Sequence, residues 1–159
     1  MSVILSPVAH ALALASSLHG AWDCKPVGPA FISEKSVHSG ETTSELLPHD
    51  KFIIGFERMS ISEDKATVDL TFRGMHYNQV SSVYFSKGQL VLMVPVETGP
   101  DLRTFILTAS RSGSGVRVEA SFPLEMSVYN FGGVVGPDKI IGGYAIAAAV
   151  YECEAEAAA

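Results

Sequence analysis

A two-residue hydrophobic period, running through most of the chain after residue 20, limits what this sequence can fold into. Val68, Leu70 and Phe72 alternate with Thr67, Asp69, Thr71 and Arg73; Val116, Val118, Ala120 and Phe122 alternate with Arg117, Glu119 and Ser121. Such a period puts one set of side chains on one face of a strand, whereas a helix needs a repeat near 3.6. Lys51–Met59 reads as another strand with a bend at Gly55, and Met75–Phe85 as one with an irregularity at Ser81-Ser82. Leu102–Thr108 carries apolar residues on both faces. Gln89–Val96 is apolar nearly throughout, which predicts a strand covered on both sides; Pro95, lacking an N–H, marks an edge, a bulge or the strand's end. Turn residues separate the runs at 63–65, 86–88, 98–101 and 112–115. The fold class is all-β, with an antiparallel up-and-down β-barrel expected, with or without a short N-terminal helix.

Three stretches break the pattern. Pro26–Asp50 holds few large apolar residues after Ile32 and reads as a strand end followed by a long loop. Gly132–Gly136 is a glycine-rich connection. In Lys139–Glu154 alanine favours a helix, while Gly142-Gly143 and the β-branched residues favour a strand. The strand is the reading adopted, with Tyr144, Ile146, Ala148 and Val150 on one side; small alanines there would leave space inside a barrel.

Length and charge bound the function. A chain of 159 residues suits one domain with one core. Hydrophobic residues make up 47% and charged ones 18%, against about 25% in ordinary soluble domains, so a disordered chain is excluded. The net charge of −6 and the lack of any basic run exclude a nucleic-acid partner and a polybasic membrane anchor.

No charged side chain precedes Asp23. Residues 1–15 read as a signal peptide, with Val3–Leu14 as its apolar core and Ala13-Leu14-Ala15 before a cut, or as a native helix capped by Ser6 with Pro7 in its first turn. A membrane anchor is a third option, although Ser, Pro and His interrupt the run; no integral membrane segment is expected in the mature chain. Residues 16–154 form the single barrel domain and 155–159 a flexible tail. Cys24 and Cys153 bracket the domain. They read either as a disulfide, requiring the first and last strands to be neighbours, or as two buried free thiols. The bridge and the leader together point to a secreted or periplasmic protein.

Chemical motifs are sparse. There is no nucleophile elbow, phosphate loop or dinucleotide fingerprint, so no catalytic residue and no cofactor is assigned. The histidines have no metal-ligand spacing, and His38 and His49 read as part of a solvated acidic loop with Glu41, Glu45 and Asp50. No metal site is assigned. Met75–Gln79 groups polar and aromatic side chains and is the place to expect a polar contact in a barrel mouth. Glu57, Asp69 and Glu119 fall where outward faces are expected.

Leu18-His19-Gly20-Ala21-Trp22 contains a Gly-x-Trp at the start of the first strand, and Leu107–Arg111 is a late strand ending in Arg. The pair resembles the opening and closing segments of the lipocalin-like (calycin) barrels. The resemblance implies that Trp22 closes one barrel end with Arg111 stacked on it, and that a small apolar molecule is held inside. The chain departs from the family in having no Thr-Asp-Tyr-type middle motif and in continuing with strands beyond Arg111. Candidate lining residues are Phe56, Phe72, Tyr84, Leu92, Phe105, Val118 and Tyr144, chosen as large apolar or aromatic residues on expected strands. Two other functions stay open. One is a secreted interaction or inhibitor module using Ser33–Asp50 and Gly132–Asp138 against a protein partner. The other is a small-barrel isomerase or cyclase with His76, Tyr77 or Glu57 pointing inward.

Overall fold

Each period-two run forms an antiparallel strand in the computed structural model, which describes residues 17–36, 40–52, 54–72, 74–86, 89–98, 101–126 and 143–157. The strands are β1 (Gly20–Pro26), β2 (Ala30–Ser36), β3 (Thr42–Leu47), β4 (Ile54–Ile61), β5 (Lys65–Phe72), β6 (Met75–Ser86), β7 (Gln89–Thr98), β8 (Asp101–Ser112), β9 (Gly115–Met126) and β10 (Gly143–Ala155). A single 3₁₀ turn, His49–Lys51, lies between β3 and β4. β1 pairs with β4, neighbours then pair in order to β10, and β10 pairs back to β1, closing an eight-stranded barrel. Closure removes the open edges that a flat sheet would present. The leader 1–15, His38 and the connection 132–138 lie outside the described residues.

Alternation decides what goes inside. Ala66, Val68, Leu70 and Phe72 of β5, Val116, Val118, Ala120 and Phe122 of β9, and Leu90, Leu92, Val94 and Val96 of β7 are all buried in one contiguous core. β7 was expected to be covered on both sides; instead Met93 is exposed, and only the even-numbered residues turn inward. Pro95 pairs with Thr104 of β8 but lies beyond the last residue of β7 that pairs with β6, Leu92. On the β6 side its missing N–H therefore leaves no gap in a ladder. The irregularity at Ser81-Ser82 is where β6 changes neighbour: Lys65–Phe72 pair with Met75–Ser82, and β7 pairs with Val83–Ser86. Ser81 Oγ donates to the carbonyl of Met93 across this switch, 2.9 Å.

Two expectations are corrected. Residues 26–50 are not a strand end and a loop but the hairpin β2–β3, which pairs from Ala30↔Leu47 to Lys35↔Thr42. Thr42–Leu46 are exposed one after another, so the segment carries no alternation to read. β2 continues β1 along β10 after a break: Pro26 faces Tyr151 and Phe31 faces Ala148, so five steps on one strand (31 − 26) match three on the other (151 − 148). Gly28, with φ of +70°, takes the left-handed conformation that this two-residue bulge requires. In β10 the strand reading holds. Ala147, Ala149, Tyr151 and Cys153 face inward, whereas Ile146 is 55% exposed, so of the residues expected to share a face Ile146, Ala148 and Val150 share the outer one.

β10 runs to Ala155, and Glu156 still donates its backbone N–H to Ala21, 2.9 Å. Cys24 and Cys153 stand directly opposite each other in the β1–β10 ladder and are paired at disulfide distance. The bridge spans 129 residues of chain, a loop whose closure stabilises a fold by up to about 5 kcal/mol in the chain-entropy model. Thiol titration of the native protein without reductant is expected to find no reactive thiol, with two appearing after reduction and a fall in denaturation midpoint. Two thiols in the unreduced protein would remove the bridge.

Candidate functional site

The barrel has two unlike ends. At one, Trp22 is 5% exposed, its indole N–H donates to the Leu18 carbonyl at 2.9 Å, and the Arg111 guanidinium carbon lies 5.6 Å from the ring centroid. Arg111 is aimed by the β8–β9 turn: it donates to the carbonyls of Ser114 (3.1 Å) and Gly115 (3.4 Å), beside Gly113 at φ +58°. A guanidinium over an indole face contributes roughly 0.5–1 kcal/mol at exposed sites. This contact is the one implied by the Gly-x-Trp resemblance.

The other half of the interior is lined by rings. Phe72 meets Phe105 (centroids 6.1 Å), Phe105 meets Phe122 (4.9 Å), and Phe122 meets Phe52 (6.0 Å). Phe52 meets His49 (6.1 Å), His49 meets Tyr151 (5.8 Å), and Tyr151 meets Phe56 (5.2 Å). Most of these contacts are edge-to-face, the arrangement that ring quadrupoles favour. Of the proposed lining residues, Phe56, Phe72, Leu92, Phe105 and Val118 are buried in the core. Tyr84 is 51% exposed: on β6 the inward positions are odd-numbered, with Ser81 buried and Val83 packed against the core. Tyr144 pairs through its backbone with Lys35 and Glu125, and its side chain lies outside the described residues.

No family model, curated protein or solved structure matches the chain.

His49 and Tyr151 are the interior residues that sequence reasoning missed. His49 was read as part of a solvated loop, but the 3₁₀ turn carries its ring against Phe52 and Tyr151. Tyr151 could have been found from Cys153: two residues apart on one strand they share a face. Tyr151 is 1% exposed, and its Oη and His49 Nε2 are buried without a hydrogen-bond partner among the described residues. Burial alone pushes the Tyr151 phenol up to about 12. A buried polar group without a partner costs roughly 1–3 kcal/mol, so two on touching rings call for an explanation.

Glu57 and His76, expected to point inward in an enzyme, are exposed on the outer surface, whereas Tyr77 packs partly against the core. They border an outer cleft of about 490 Å³ with Asp23, Arg58, Asp69, Leu70 and Asn78, at a β-bulge between Phe56 and Arg58. Arg58 is engaged there by Asp23 (3.1 Å) and Glu156 (3.3 Å), and Asn78 donates to Asp69. Among the described residues no three His, Cys, Asp or Glu side chains gather as metal ligands, and no helix is long and apolar enough to cross a membrane.

The raised Tyr151 ionisation sets a sign for alkaline stability. Between about pH 10 and 12 the unfolded chain has lost the proton that the folded chain keeps, so stability falls as pH rises through that window. An ultraviolet titration is expected to show one late-ionising phenol, absent in Tyr151→Phe, whose alkaline stability falls less steeply.

Proposed function

We propose that the protein is a non-enzymatic, exported β-barrel of the lipocalin-like kind that binds a small apolar molecule in its interior. The observation that carries this reading is the pairing of a chain of aromatic rings with a wall of small side chains: Ala147 and Ala149 face the same interior with only methyl groups. Rings supply apolar contact area, and alanines beside them on β10 leave room for a guest. The Arg111–Trp22 closure at the far end supports a family relation, since it seals that end and leaves the ring-lined half to receive the molecule. The Cys24–Cys153 pair supports an oxidising address.

Thermal unfolding and Trp22 emission, followed while medium-chain alkanes, alcohols and ketones are added, test the reading. A guest that binds only the folded chain raises stability by about 2.7 kcal/mol at a hundred times its dissociation constant. Ala147→Leu separates a receptive interior from a filled one. In a receptive interior the new side chain occupies the guest's space: guest affinity drops at least tenfold and the melting temperature holds or rises. In a filled one it overpacks, with a loss of roughly 1–3 kcal/mol. That loss, with no melting-temperature shift from any added compound, overturns the proposal.

A further inference from the structure

We propose that the guest is a neutral apolar molecule with one terminal oxygen, an alcohol or ketone, and that this oxygen bonds Tyr151 Oη and His49 Nε2. This rests on the interior binding proposed above and names its chemistry. The two orphaned atoms belong to rings in contact, 5.8 Å between centroids, inside an interior otherwise lined by Phe52, Phe56 and Phe122. Tyr151, 1% exposed, offers an O–H donor. The His49 imidazole offers Nε2 as donor or acceptor according to its tautomer. A carbonyl oxygen accepts from both groups, and a hydroxyl accepts from Tyr151 and exchanges one bond with His49.

Charge selects against a carboxylate guest. The buried residues of the core include no Lys or Arg, no cation whose side chain is described is buried, and Lys51, on the turn that carries His49, is exposed. A carboxylate brought to Tyr151 would lose its water without a fixed counter-ion, a far larger penalty than desolvating an alcohol or ketone. The high phenol ionisation fits the same picture, because it keeps Tyr151 a proton donor at every physiological pH.

The test is calorimetric binding of four eight-carbon compounds at pH 8: octane, 1-octanol, 2-octanone and octanoate. Wild type is compared with Tyr151→Phe, which keeps the ring against Phe56 and His49. The expected result is that octane binds both proteins equally. The ratio of octanone to octane affinity falls about tenfold in Tyr151→Phe, the worth of one hydrogen bond, and octanoate binds weakest. Without guest, Tyr151→Phe is expected to melt higher than wild type, because an unpaired hydroxyl has been removed; a lower melting temperature means the hydroxyl is already satisfied and overturns the inference. Equal ratios in the two proteins, or octanoate binding as tightly as octanone, overturn it while leaving interior binding intact. No binding by any of the four overturns both.

Discussion

The pairing of β1 with β10 is what the rest of the structure depends on. Five residue pairs, Trp22↔Ala155 to Pro26↔Tyr151, turn a sheet with two open edges into a barrel, and the Cys24–Cys153 pair lies in the middle of them. Long-range strand pairing must overcome a large loop-closure entropy before it gains contact energy. A covalent bridge at the closing pair removes much of that entropy from the unfolded chain. The same ladder sets both ends of the interior. Trp22 inside β1 and Tyr151 inside β10 are held by the register that aligns the two cysteines, so the sealed end and the polar ring site share one origin.

Most of the barrel was legible because alternation is a direct record of one face buried and one exposed. β5 and β9 show it in full, and their inward sets are the buried ones. The Ser81-Ser82 irregularity and the place of Pro95 were legible too, since a pair of small polar residues and a residue without an N–H both disturb a ladder. The β2–β3 hairpin was not. With exposed residues along Thr42–Leu46, it has no hydrophobic period, and its existence depends on β10 offering a free edge above β1. The face of β10 was ambiguous for the opposite reason: with alanine or larger apolar groups on both sides, neither parity stands out until Cys153 is placed.

The candidate site was legible in its apolar part and hidden in its polar part. Phe56, Phe72 and Phe105 announce themselves by size on alternating strands. His49 lies outside any strand, and only the 3₁₀ turn after Pro48 brings its ring over the interior. Glu57 lies on the outer face that alternation assigns it beside buried Phe56, and only an enzyme would have needed it, His76 or Tyr77 to point inward. The β-bulge between Phe56 and Arg58 leaves Glu57 and Arg58 both exposed before Met59 turns inward again.

The unusual composition follows from a barrel that is oily inside and only partly polar outside. Inward residues are apolar along β5, β7 and β9, the reverse of a membrane-spanning barrel, whose lumen is polar and whose outer band is apolar. The outer wall divides. Across β1, β4, β5 and β6 it carries Asp23, Arg58, Asp69 and Asn78 in register. Across β7, β8, β9, β10, β2 and β3 the register runs Met93, Ile106, Ser121, Ala148, Phe31 and Leu46, with Met93 47% and Leu46 64% exposed. Met93, Ile106, Phe31 and Leu46 are exposed apolar groups on four of these six strands, in one line with the half-buried Ser121 and Ala148. They lie on the wall away from the charged cleft. The interior is apolar around one buried polar pair, while the exterior separates a charged side from an oily one, so the molecule's two surfaces differ in kind.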